Sequence, residues 1–355
     1  MAGRTGGAAL PRPLPGEGPR LFRGKDHRLT AFARADGGLL RWTQLKPAGT
    51  EWEGPLFLPA PSLSDVSVAQ GADGFVHAVG RRVSSGDGSV TVVHATQYQT
   101  GRPLTQWRPL GNPHKDPNRA RLVTSPAVAV SGTGAVHVFL ASDGGAVALR
   151  KEDAKGRWQA WGSLQGQLAL DGMVAVTTAS GRIELLVPAS NGRAMRWCQT
   201  DPQSELERCP NLRISPDPGT MVGLESTPER ITYFWSDAAA GGLVAHRPGE
   251  WVIPLGGGPI EGRPAVLRAV LDGYDCTVLA GRSPDGTVML AACAAENEAS
   301  GLWWSATVER CAAPPALACD AYGRVVLATL DDSGALRVAV QAAEPGLVIA
   351  PSVRV

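Results

Sequence analysis

The sequence predicts an all-β fold, a seven-bladed β-propeller of four-stranded antiparallel blades. Three observations predict it. Glycine (43 residues) and proline (28) make up about a fifth of a 355-residue chain that is still 43% hydrophobic, so it is dense in turns yet apolar enough to bury a core. Short apolar runs recur between Gly/Asp turn signals at a period of roughly 48 residues, the spacing of four-strand units. These runs, AVAV, VHVFLA and VVLATL, are continuous rather than alternating, as expected of sheets packed on both faces.

The clearest unit is Ser125 to Gly166. Pro126 to Val130 is an apolar run, Gly132-Thr-Gly turns, Val136 to Ala141 is a second run, Asp143-Gly-Gly turns, Ala146 to Lys151 is a third, and a polar loop ends at Trp158 to Leu164. Tight Gly/Asp turns between short strands make one antiparallel meander. The same order divides the chain into units at 21–62, 63–121, 122–168, 169–219, 220–262, 263–311 and 312–355. The first carries Asp36-Gly37-Gly38 before Leu39 to Gln44. The second has Asp73-Gly74, then Gly86-Asp87-Gly88 and Trp107. The fourth has Ser180-Gly181 and Ser190-Asn-Gly, the fifth Gly241-Gly242 and Trp251, the sixth Trp303-Trp304, and the seventh Tyr322-Gly323 and Ser333-Gly334. Residues 1–20 read as a flexible leader before a single propeller domain over 21–355. Two stacked β-sandwiches are the rival architecture, and regular spacing without a mid-chain linker counts against them.

The net charge is +1, from 34 basic and 33 acidic residues spread along the chain. No basic stripe marks a nucleic-acid or anionic-membrane surface, and no run of eighteen apolar residues spans a bilayer. The first eighteen residues lack the charged and apolar regions of a secretory signal, which by itself does not place the protein in the cytoplasm.

The six cysteines fall into near neighbours, Cys198 with Cys209, Cys276 with Cys293 and Cys311 with Cys319. A two-residue turn at Pro284-Asp285, with Ser283 opposite Gly286, sets Cys276 directly opposite Cys293 across a hairpin, a separation that suits a disulfide. Disulfides are therefore expected, implying an oxidising, extracytoplasmic home. Free buried thiols and a zinc site are the alternatives, the latter lacking Cys-x2–4-Cys knuckles. No metal or cofactor is expected.

Tryptophan raises the functional question. Repeated at a strand end it staples neighbouring blades, and Trp52, Trp107, Trp158 and Trp251 occupy that place. Trp42 and Trp197 match each other in LLRWTQ and AMRWCQ and read first as core, with a ligand role as the alternative. Trp235, beside Asp237, and the pair Trp303-Trp304 fall outside the repeat's structural positions. They are the better ligand candidates, because adjacent residues of a strand point to opposite faces. His77 and His137 are equivalent across blades and suggest a hydrogen bond within the blade, with a repeated sugar contact as the alternative. The Asp-Gly turns at Asp36, Asp73, Asp143 and Asp285 need residues tolerant of positive φ, which explains them without catalysis. No nucleophile elbow, phosphate loop or metalloprotease spacing occurs.

Units of the form PAVAV, HVF, DGxL, Q and WxxWxxLxG resemble the PLL-type bacterial lectins, seven-bladed propellers related in shape to tectonin and fucose-binding lectin propellers. The residues that carry the resemblance are Pro126, Val138, Phe139, Asp143, Gly144, Trp158, Trp161, Leu164 and Gly166, with Phe32, Asp36, Gly37, Leu39 and Gln44 continuing it. The resemblance implies pockets between adjacent blades that bind fucose or related sugars against aromatic faces. This chain departs from the pattern, since the double tryptophan is complete only at Trp158 and Trp161. The expectation is a secreted, non-enzymatic, multivalent carbohydrate-binding propeller whose partners are glycans or glycoconjugates, or the protein subunits of a larger secreted complex that it targets. The alternatives are an interaction scaffold without a sugar site and a glycoside hydrolase or lyase on a propeller.

Overall fold

The computed structural model describes residues 10–355, which form seven four-stranded antiparallel sheets, each from four consecutive strands. The inner strands are Arg20–Arg23, Leu63–Gln70, Ala127–Val130, Val174–Thr177, Val222–Thr227, Glu261–Leu271 and Ala316–Cys319. At six of the seven seams they meet their counterparts in neighbouring blades around an axis, blade 7 against blade 1 included. The architecture is the expected seven-bladed propeller. The runs AVAV, VHVFLA and VVLATL are buried throughout, as two-faced packing requires. A one-turn helix, Pro117–Ala120, capped by Asp116, lies in the connection that lengthens the second unit. No helix of the described residues is long and apolar enough to cross a membrane.

Tryptophan cements the ring in one direction. Each blade sends its large side chain onto the blade before it: Trp42 and Trp52 onto blade 7, Trp107 onto blade 1, Trp158 and Trp161 onto blade 2, Trp197 onto blade 3, Trp235 onto blade 4 and Trp304 onto blade 5. Blade 7 uses Leu347 and Ile349 in the same way. Three indoles also donate to a carbonyl of the preceding blade's outer strand: Trp161 to Leu110 at 3.0 Å, Trp197 to Leu164 at 3.2 Å and Trp304 to Leu255 at 2.8 Å. The ring is thus held by apolar area with a directional bond at its edge.

A buried or half-buried glutamine latches blades 1, 4 and 7, with partial counterparts in blades 2 and 3. Its amide oxygen accepts the N–H that opens the second strand, and its NH2 holds the loop between third and outer strands. Gln44 takes Leu29 N and gives to Gly49 O, Gln199 takes Ile183 N and gives to Ser204 O, and Gln341 takes Val325 N and gives to Gly346 O. Gln97 gives to Arg102 O, and in blade 3 the carboxylate of Glu152 accepts Val136 N in the same place. Blades 5 and 6 lack the device. Continuing the register from Tyr233 and His246 puts Pro248 there in blade 5, and Ala294, paired with Cys276, stands there in blade 6.

Two expectations need correction. The hairpin of blade 6 has three loop residues, not two: Ser283 N donates to Thr287 O, Asp285 accepts Thr287 N at 2.9 Å, and Gly286 takes φ +86°. The pairing therefore runs Thr277 to Cys293 and Cys276 to Ala294, and a shift of one residue turns Cys276 and Cys293 to opposite faces of the sheet. All six cysteines stand as thiols. Cys311 is buried at the seam of blades 6 and 7, and the Cys319 thiol lies 3.8 Å from the carbonyl oxygen of Arg268. Only the Cys198 and Cys209 sulfurs approach, to 2.7 Å. Of the leader expected over 1–20, residues 1–9 lie outside the described residues. The remainder runs against the ring: Leu14 N donates to Arg34 O, Pro13 bridges Ala35, and Arg20 already belongs to the first strand.

His77, His94 and His137 are buried within blades 2 and 3. His77 Nδ1 lies 3.1 Å from His94 Nε2 in a stacked pair, and His137 Nδ1 lies 3.1 Å from Ala135 O. Burial holds all three neutral, pulling His77 to about 4, His94 to about 3 and His137 to about 4. Asp73 opposes the shift at His77, and Glu205 opposes it at His137. The unfolded chain protonates these rings near pH 6.5, so their contribution is complete above that pH and is lost as pH falls below it. Between pH 6.5 and 5.5 the expected loss is about 1 kcal/mol per histidine, roughly 3 kcal/mol together. Urea unfolding at the two pH values checks it, and identical free energies would show that the rings are not held neutral.

Candidate functional site

An antiparallel meander puts the first-to-second and third-to-outer connections of every blade on one face of the ring, and the hairpin and inter-blade connections on the other. The residues exposed on the first face set it apart. Tyr98, Trp251, Tyr274, Trp303 and Tyr322 are the exposed aromatic side chains among the described residues, and all five sit in its loops or at a strand end there. Trp251 and Trp303 are the extremes, 90% and 82% exposed. They belong to the equivalent loops of blades 5 and 6, the two blades with neither the glutamine nor a carboxylate in its place.

An ion-pair network replaces that latch. Arg247, buried at the end of the third strand of blade 5, donates to Glu298 of the blade 6 loop at 2.7 Å and to Glu250 of its own loop at 2.9 Å. Glu298 is fully buried, and Arg247 is its hydrogen-bonding partner. Arg230 joins Glu250 at 2.5 Å and Glu296 at 2.8 Å. Glu296 accepts from the hydroxyls of Ser226 and Thr227. Against the opposing effect of burial, Glu298 and Glu250 together push the Arg247 guanidinium up, and hydrogen bonds from Thr227 and Ser226 with the nearby arginines hold the Glu296 carboxyl low. The two loops are thereby tied across the blade 5/6 cleft.

Fixing the loops this way presents Trp251 and Trp303 outward. Trp304 turns in against Gly257 and Leu255, so its neighbour Trp303 turns out. Trp251 occupies the place where Trp52, Trp107 and Trp158 are partly buried, but its stapling role toward blade 4 has passed to Trp235. The rim of the cleft therefore combines two bare indoles with Arg230 and Glu250, both partly exposed.

The other expected positions fall elsewhere. Trp42, Trp197 and Trp235 are each 1% exposed and belong to the cores between blades, where no ligand reaches an indole face. Arg208 covers Trp197 at 4.3 Å. Asp237 caps its own turn, accepting Ala239 N and Ala240 N. Asp285 accepts Ser283 Oγ and Thr287 N, and these bonds pull its carboxyl to about 2, which marks a structural turn. Cys198 and Cys209 lie on neighbouring strands of blade 4, and burial with Glu184 nearby pushes the Cys198 thiol well up. Among the described residues no group of three or more His, Cys, Asp or Glu side chains could hold a metal ion. Sequence reasoning missed Trp251 as an exposed group and did not weigh Tyr98, Tyr274 and Tyr322; their shared signal is placement in the two connections that open on one face.

No protein-family model matches the chain, and no curated protein matches it in sequence. In structure it is similar to propeller lectins. The BP39L lectin from Burkholderia pseudomallei superposes with a TM-score of 0.66 at 14% identity, over 95% of this chain and 99% of that one. The SapL1 lectin, solved in complex with alpha methyl fucoside, gives 0.51 at 11% identity, over 96% and 97%. A Hadza microbial sialidase gives 0.51 at 12% identity, over 86% and 71%. At such identities the likeness is one of fold, and the fold hosts both sugar binders and an enzyme.

Proposed function

We propose that the protein is a non-enzymatic carbohydrate-binding propeller whose binding face carries Trp251 and Trp303. The confinement of exposed aromatic side chains to one face carries the reading. An indole left bare in water forfeits the burial it would gain in a core, and it offers a flat apolar surface to the C–H face of a sugar ring. Beside it, Arg230 and Glu250 supply a donor and an acceptor for hydroxyls. The lectin neighbours, one of them holding a fucoside, support this class of ligand. The cleft's carboxylates, Glu250, Glu296 and Glu298, are each engaged by arginine, which suits holding loops more than proton transfer.

Aromatic side chains on blades 2, 5, 6 and 7 make several shallow sites the natural mode, with weak single contacts raised by multivalency. We infer further that the protein works outside the cytoplasm, as the targeting part of a larger secreted assembly. Cys198 and Cys209, thiols 2.7 Å apart, are placed to pair if the setting is oxidising. A glycan array followed by titration of the best ligand tests the reading. Trp303→Ala and Trp251→Ala are each expected to weaken binding by about tenfold or more, about 1.4 kcal/mol, without altering the circular dichroism. A blank array, or binding that survives both substitutions, would overturn it, and turnover of a glycan would overturn the non-enzymatic part.

A further inference from the structure

The opposite face of the ring holds a feature that the carbohydrate reading leaves unused. Where the inner strands begin, a cavity of about 680 Å3 opens on the axis. Two guanidinium groups line it, Arg20 at the head of blade 1 and Arg263 in the inner strand of blade 6. Neither makes a hydrogen bond or an ion pair with any described residue. The remaining charges there are already matched: Arg34 donates to Glu17 at 2.6 Å, and Arg81 grips Asp65 with its Nε and Nη2. Two positive charges are therefore left facing one space.

Burial and the charge of Arg20 bring Arg263 down to about 9, and burial lowers Arg20, with Glu17 opposing. Both side chains are half-buried, and unpaired like charges partly withdrawn from water repel unless something neutralises them. A guanidinium presents a planar fork of donors that fits a carboxylate. The space is also far larger than one inorganic ion, and Val66, Val68, Pro264 and Leu317 add apolar wall. A volume of this order is that of a small-molecule site.

We propose that the axial cavity binds a small organic carboxylate, its charged group between Arg20 and Arg263 and its body against the cavity wall. This site is separate from the aromatic face and stands or falls without it.

Calorimetric titration and thermal melting of the full chain at low ionic strength, with galacturonate, galactose and inorganic phosphate, test the proposal. Galacturonate is expected to bind and to raise the melting temperature. Galactose is expected to give no response that depends on Arg20 or Arg263, whatever it does at the aromatic face, and phosphate to bind about tenfold more weakly or worse. Arg20→Met and Arg263→Met each abolish the galacturonate response, yet melt at or above the parent without ligand, because a repelling, half-buried charge has gone. Trp303→Ala leaves the part of the response that depends on Arg20 and Arg263 unchanged. A galactose response that disappears in the arginine variants as the galacturonate response does, or a galacturonate response that persists in both variants, overturns the proposal. So does phosphate binding as tight as galacturonate, which would make the cavity a simple anion hole.

Discussion

Arg247→Met is expected to cost about 3–5 kcal/mol of stability, because it strands the Glu298 carboxylate in a fully buried place with its hydrogen-bonding partner removed. The double variant Arg247→Met/Glu298→Met removes both charges and is expected to recover most of the loss, since a buried ion pair contributes little beyond an apolar pair of like volume. Urea unfolding of parent, single and double variants closes the cycle. A single variant within about 1 kcal/mol of the parent would show that the pair is not the clamp between blades 5 and 6. The single variant is also expected to lose sugar binding at the rim, because Trp251 and Trp303 stand on the loops that this pair ties together.

Trp235→Ala is expected to cost about 3–5 kcal/mol through the cavity it opens between blades 4 and 5. Trp303→Ala is expected to change stability by no more than about 0.5 kcal/mol. The contrast separates two residues that the sequence places in one class. If Trp235→Ala kept parental stability, the seam between blades 4 and 5 would have to be held by something other than the indole.

The distinction between those two residues shows where sequence reasoning stops. Turn chemistry and apolar runs made the blades legible, because Asp143-Gly144 and AVAV act locally and report on their own neighbourhood. WxxW at Trp158 and Trp161 was also legible as a staple, since both rings pack on the preceding blade. Exposure is different: it depends on which blade supplies the staple at a seam. Trp235 on a second strand took over at blade 4, and Trp251 at the repeat's usual place was released to solvent. The cysteine hairpin failed for a smaller reason, a single loop residue at Gly286, but in a strand one residue is a whole face. Arg20 and Arg263 were invisible because the axis gathers residues far apart along the chain, and only closure of the ring brings them together.

That closure also sets an order of events in synthesis. Every blade takes its four strands from one continuous stretch, so each can form as its own segment leaves the ribosome. The seam of blades 1 and 7 is different in time. Leu29, Leu40 and Trp42 pack against Val326, Ala328 and Val338, and Arg23 donates to Asp320 O across 297 positions of chain. The first blade must therefore keep an apolar flank uncovered until the seventh blade has been translated, which makes it, within the ring, the surface on which a nascent-chain chaperone would be needed longest.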